Sequence, residues 1–128
     1  MNYDIIDLEK KKELIKKLKE FCPNGDPRFY EIIADLGILH SAKNSDYASK
    51  EEPLRNFTTV GKAMEEYGII TPGNSATKTA LMYAYKQWDA ALKLLGRNEK
   101  GNIEGITDRL NDIAVYAIIA RILYERCQ

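Results

Sequence analysis

Residues 102–126 read NIEGITDRLNDIAVYAIIARILYER. The spacing predicts one long helix whose two halves do different work. At about 100° per residue, Ile103, Ile106, Leu110, Ile113 and Ala117 form an apolar stripe, and Glu104, Asp108 and Asp112, each four apart, climb beside it as a ladder of carboxylates. From Ile113 to Leu123 the run IAVYAIIARIL is apolar almost all round, interrupted only by Arg121. That is the pattern of a helix covered on more than one side. One small bundle cannot easily cover so much apolar circumference, so a homodimer or higher oligomer is expected. Ala117 and Ala120 are small enough to let helices approach there.

The ladder has two readings. Acids four apart on an exposed helix repel at a cost of a few tenths of a kcal/mol per pair. They are tolerable as a solvated face with Arg109 nearby, or relieved by a cation. Ligands that are all oxygen suit magnesium or manganese better than zinc.

Outward from this helix, the glycine-bounded GRNEKG of residues 96–101 is short enough to make the preceding helix an antiparallel neighbour. That helix, about Ser75 to Leu95, carries Leu81, Ala84, Trp88, Ala91, Leu92 and Leu95 at intervals of threes and fours, and this seam is expected to face the core, Trp88 included. Thr71–Asn74 (TPGN) is a turn, with Asn74 or Ser75 as cap. A short helix, about Thr58 to Tyr67, turns Val60, Met64 and Tyr67 inward. Residues 44–56 (NSDYASKEEPLRN) read as an irregular stretch of functional length.

Upstream, Pro27 to about Lys43 is a helix with Phe29, Ile32, Ile33, Leu36 and Leu39 or His40 on a buried face, His40 near its end, and a second acidic pair in Glu31 and Asp35. Asp26 before Pro27 is a strong start signal, the acid as N-cap and the proline at the first helical position. The first helix, about Asp7 to Phe21, sets Leu8, Leu14, Ile15, Leu18 and Phe21 against a lysine-rich face and ends at CPNGDP.

The 128 residues suit one all-α domain, an antiparallel bundle of four main helices plus one short one; residues 1–25 form an N-terminal helix and turn, and 26–126 the bundle proper. Nineteen basic and nineteen acidic residues leave no net field to attract nucleic acid, so any binding must be local. Cys22 and Cys127 lack CxxC spacing and read as reduced thiols of a cytoplasmic protein. No apolar run is long enough to span a bilayer.

The segment Glu104–Ile119 (EGITDRLNDIAVYAII) resembles the last core helix of MazG-like, all-α nucleoside-triphosphate pyrophosphatase relatives, in particular small phage and bacterial domains associated with nucleotide modification. The shared pattern is an acid, an acid four on, then D-hydrophobic-A-x-Y. Lys43–Tyr47 (KNSDY) and Asn56-Phe57 are similar to the basic-x-x-x-Tyr and Asn-Phe elements of those domains, so the likeness covers roughly residues 30–120. It implies a helical bundle, commonly dimeric, that holds magnesium against nucleotide phosphates. By position, Glu104, Asp108 and Asp112 would be the metal-side acids. Lys43, Asp46, Tyr47 and Asn56 would be loop contacts to the nucleotide, and Lys86 a phosphate contact. The Glu-x-x-Glu pair of active pyrophosphatases has its nearest counterpart in Glu31 and Asp35, one residue too far apart and partly shortened, and Asp89 stands where some relatives carry Arg. The resemblance thus leaves three functions open: a magnesium-dependent pyrophosphohydrolase, a binder (for instance a phage protein) that sequesters a nucleotide or nucleotide-derived signal, and a helical self-association domain.

Overall fold

The computed structural model describes residues 5–47, 52–97 and 103–128, and among these there are five helices and no strand. The helices are α1 (Ile5–Phe21), α2 (Pro27–Tyr47), α3 (Arg55–Glu66), α4 (Ser75–Gly96) and α5 (Ile103–Arg126). They fall into two compact units, residues 1–43 and 44–128.

In the first unit α1 runs to Phe21, and the Cys22 amide donates to the Leu18 carbonyl at 2.8 Å as the last helical bond. The Asp26 carboxylate accepts the Arg28 N–H at 2.8 Å, the N-cap bond expected from its place before Pro27. Between them the Tyr30 hydroxyl donates to the Cys22 carbonyl at 2.7 Å. A Cβ on Gly25 would meet that hydroxyl, so the Tyr30 ring would have to shift to admit one. Ion pairs Lys11–Asp35 and Lys19–Glu31 tie α1 to α2 antiparallel, with Ala34 and Leu36 buried. Phe21 and Phe29, expected inside, are 87% and 60% exposed. They flank the turn, where helix–helix cover has already run out.

α2 does not stop near Lys43. It continues through Tyr47, so the stretch expected to be irregular begins as about one more helical turn, and His40 sits half-buried well inside the helix. α3 likewise starts three residues earlier than its periodicity suggested, at Arg55.

The core of the second unit is Leu54, Phe57, Ala80, Ile119, Ala120 and Leu123, with Tyr83, Val115 and Tyr116 packed on it. Each such large side chain taken out of water contributes about 1.5–3 kcal/mol. α3 lies so close to α4 that a Cβ on Gly61 would sit 2.7 Å from the Ser75 carbonyl carbon. α4 meets α5 antiparallel: Tyr83 touches Tyr116, and Arg109 donates to Gln87 at 2.7 Å one turn further along. The turn between α3 and α4 places Gly68, Gly73 and Asn74 at φ of 70°, 96° and 50°. Asn74 therefore occupies the N-cap position in a left-handed conformation and makes no side-chain cap bond, contrary to its expected role. The turn is closed instead by Lys78, whose ammonium donates to the Thr71 carbonyl and hydroxyl, each at 2.9 Å.

The two long helices bury different faces from those their hydrophobicity suggests. On α4 the inward residues are Ala76, Thr79, Ala80, Tyr83 and Ala91, whereas Leu81, Trp88, Leu92 and Leu95 are each more than half exposed. Thr79 is fully buried and satisfied, its hydroxyl donating to the Ser75 carbonyl at 2.8 Å. Small residues win this face because backbones this close leave no room for Leu or Trp. On α5 the buried set is Ile119, Ala120 and Leu123, while Leu110 and Ala117 are exposed. Between Ile113 and Leu123 only those three are buried; Ala117, Ile118 and Arg121 are exposed and the rest half-buried. Tyr67, at the end of α3, is 82% exposed rather than inward. Both cysteines are free thiols. No helix among the described residues is long and apolar enough to cross a membrane.

Candidate functional site

Three aromatic rings, one from each helix of the second unit, make a closed triangle. Phe57 lies 5.7 Å from Tyr83 and 6.0 Å from Tyr116, and Tyr83 lies 5.7 Å from Tyr116. Tilted and edge-on pairs of this kind add about 0.5–1.5 kcal/mol each beyond the area they bury. The triangle joins the Asn-Phe element to the D-hydrophobic-A-x-Y element, although they are some sixty positions apart in the chain. Three of the expected site residues stand near these rings along the chain. Asn56 precedes Phe57, Lys86 follows Tyr83 by three, and Asp112 precedes Tyr116 by four, so each backbone position lies within about one helical turn of a ring.

Asn56 is half-buried, and its side-chain oxygen is shielded from solvent with no hydrogen-bond donor among the described residues. A buried amide in that condition carries a penalty of about 1–3 kcal/mol that a bound donor would remove. It is held by its neighbours: Leu54 and Phe57 are 3% and 4% exposed, which pins the first turn of α3 in the core. Lys86 is exposed on α4. Asp108 is exposed and Asp112 half-buried, one turn apart on α5. Arg109, between them, is engaged across the helix pair by Gln87. The Glu104 side chain lies outside the described residues, as do those of Asp46 and Tyr47. Lys43 is exposed on α2.

Glu31 and Asp35 belong to the first unit and already have cationic partners there. Asp35 pairs with Lys11, and Glu31 with Arg28 at 3.0 Å and Lys19 at 3.6 Å. The Arg28 hydrogen bond, opposed in part by desolvation and helped by the charge of Lys19, holds the Glu31 carboxyl below its usual range. The groove beside Glu31, about 510 Å³, is open and is lined by Lys12, Ile15, Lys16, Lys19 and Glu20, the lysine stems giving it a largely apolar wall.

Among the described residues no three His, Cys, Asp or Glu side chains are grouped closely enough to hold a metal by themselves. Magnesium does not demand that, since it commonly keeps several waters and binds through one or two carboxylates together with substrate phosphates. Asp108 and Asp112, about 6 Å apart along the axis, are the two acids of the ladder whose side chains are described.

Tyr83 and Gly61 carry no functional pattern in the sequence, yet one completes the ring triangle and the other sets the approach of α3. The only signal for Gly61 was a glycine inside a helical segment, which points to close backbone approach. Compared with family models, with curated proteins and with solved structures, the chain matches none.

Proposed function

We propose that the second unit binds a nucleotide as its magnesium complex and acts as a pyrophosphohydrolase, cleaving between the α and β phosphates. What supports this reading is the contact of Phe57 with Tyr83 and Tyr116, since Asn56, Lys86 and Asp112 each stand within about one helical turn of one of those rings along the chain. The fold that accompanies the reading is a MazG-like bundle. Asn56 offers its shielded amide oxygen to a donor on the base or sugar, and Lys86 offsets phosphate charge. Asp108 and Asp112, with Glu104, hold the metal, which when bound neutralises charge on phosphate oxygens. One acid of this ladder accepts the proton of the water whose oxygen bonds to the α phosphorus as pyrophosphate leaves. Asp46 and Tyr47 join the ligand contacts on the strength of their motif alone.

A second reading, sequestration without hydrolysis, is favoured by one observation: Glu31 and Asp35, the counterparts of the catalytic pair, are committed to Lys11, Lys19 and Arg28. Thermal-shift assays with nucleoside triphosphates, with and without magnesium, followed by chromatography of the nucleotide, separate the two. Hydrolysis predicts a magnesium-dependent shift, near 2.7 kcal/mol at one hundred times Kd, and release of pyrophosphate. Asp108→Asn should abolish both while leaving the metal-free protein as stable as before. A shift that ignores magnesium, with intact nucleotide recovered, selects sequestration. Silence with every nucleotide removes the nucleotide reading.

A further inference from the structure

Arg109 is half-buried on α5, and its Nη1 donates to the Gln87 side-chain oxygen of α4 at 2.7 Å. That bond joins a charged donor to a neutral acceptor. Asp108 precedes Arg109 and Asp112 follows it by three on the same helix, a spacing at which side chains can meet. Neither takes it: Arg109 is absent from the ion pairs seen among the described residues of this unit, Lys93–Asp89, Arg121–Glu125 and Arg126–Glu52. We propose that Arg109 is a ligand for a phosphoryl oxyanion, that Gln87 is the residue positioning it, and that the group bound is a diphosphate carried with a divalent cation. The proposal deepens the reading above and rests on it for the source of the diphosphate.

The bond to Gln87 is what makes the arginine a built ligand rather than a loose charge. A guanidinium is a planar fork with five N–H donors. Holding Nη1 fixes the plane and leaves the Nε–H and Nη2–H edge, which meets two oxygens of one phosphoryl group side by side. An oxyanion arriving there displaces no bond that the arginine already makes. Hydrogen bonds between ionised partners are about twice as strong as neutral ones, and that partner is the one the Arg109–Gln87 pair lacks.

The register of the two helices supplies a second cation. Tyr83 meets Tyr116 and Gln87 meets Arg109, so Lys86 is level with about residues 110–113 of α5, within roughly one turn of Arg109. Lys86 is exposed, and the acid three residues on, Asp89, is already paired with Lys93 at 3.0 Å. An arginine fork and a lysine point charge at one level suit two linked phosphoryl groups better than a single carboxylate. Asp108 and Asp112 share this stretch of α5 and would repel a bare anion. The diphosphate is therefore bound as its magnesium complex.

Isothermal titration of the full chain with inorganic pyrophosphate, with and without magnesium, tests this. Binding that requires magnesium is expected, with inorganic phosphate at least about tenfold weaker because it engages one cation only. Arg109→Lys keeps the charge but not the fork and should weaken pyrophosphate by about tenfold or more, the worth of one charge-assisted bond. Gln87→Met keeps the arginine and removes its hold, and should weaken binding by about threefold to tenfold. Arg121→Gln, further along α5, should leave it within about twofold. Should Arg109→Lys lose helix by circular dichroism, the unaltered chain serves: the Nε–H resonance of Arg109 should shift on titration with magnesium pyrophosphate. Absence of both heat and shift at millimolar pyrophosphate overturns the proposal. So does an Arg109→Lys protein that binds as the parent does, which would leave the Gln87 bond as an interhelical tie and nothing more. Nucleoside triphosphates separate the two readings. If they bind no tighter than pyrophosphate and depend equally on Arg109, the oxyanion site stands and the nucleotide reading falls. If they bind and Arg109→Lys makes no difference, the nucleotide reading stands and this assignment is overturned.

Discussion

Replacing Gly61 by alanine isolates the packing that holds α3, and with it Asn56 and Phe57, in place. In a helix interior the change should by itself be favourable by about 1 kcal/mol. Here the new Cβ would stand 2.7 Å from the Ser75 carbonyl carbon, 2.8 Å from its oxygen and 2.9 Å from the Ala76 nitrogen. Ordinary carbon contacts are about 3.5–4.0 Å, and the obstacle is backbone, so α3 must lift by roughly 1 Å. A gap of that size forfeits up to about half of the dispersion energy along the contact and draws Phe57 away from its two tyrosines. Overpacking penalties span about 1–3 kcal/mol, and a backbone obstacle belongs at the upper end. The net expectation is a loss near 2 kcal/mol, which for a unit of this size lowers Tm by roughly 8–16 °C. Gly37→Ala on α2 is the control, since nothing lies within 4 Å of its Cβ position, and it should stabilise by about 0.5–1 kcal/mol. Thermal denaturation followed by Trp88 fluorescence for Gly61→Ala and by circular dichroism for Gly37→Ala measures both. A Gly61→Ala protein as stable as the parent, or more so, would refute the close approach.

Phe57→Ala should cost about 3–5 kcal/mol in urea denaturation, because it empties a buried ring position and breaks two aromatic contacts at once; a loss below about 1 kcal/mol would mean that the triangle does not hold the helices together. Glu52 receives hydrogen bonds from Arg126 at 3.0 Å and from the Leu54 amide at 3.3 Å, and these, the Arg126 bond foremost, lower its carboxyl below the usual range. Because the folded-state value is depressed, the stabilisation is fully present above the ordinary carboxylate range and is lost as pH falls through the lowered value. Carboxyl titration by NMR should show Glu52 protonating later than an unpaired glutamate on acidification, and Arg126→Ala should remove most of that delay.

Much of the chain was legible residue by residue. Asp26-Pro27 specified a helix start because an N-cap acid and a proline act within one turn, and the structure shows the expected bond. The bounds of α4 and α5 followed from periodicity and flanking glycines for the same local reason. The C-terminal end of α2 and the start of α3 did not, since Lys43–Tyr47 and Arg55–Phe57 carry no breaker that outweighs continued helix. The ladder position of Asp108 and Asp112 on one flank of α5 was likewise a matter of spacing, but their exposure was not.

What only the tertiary structure decided was which face of a helix becomes core. On α4 the sequence offers two apolar faces: one of large residues, Leu81, Trp88, Leu92 and Leu95, and one of small ones, Ala76 and Ala80, while Ala91, expected with the first, is buried. Hydrophobicity alone favours the first. Close packing chose the second, because Gly61 brings α3 against the backbone of Ser75 and Ala76 and Ala80 is left no accessible surface at all. Periodicity along one chain segment records that a face is apolar. Which apolar face meets another helix depends on how near that helix can come, and that distance is set by residues elsewhere in the chain.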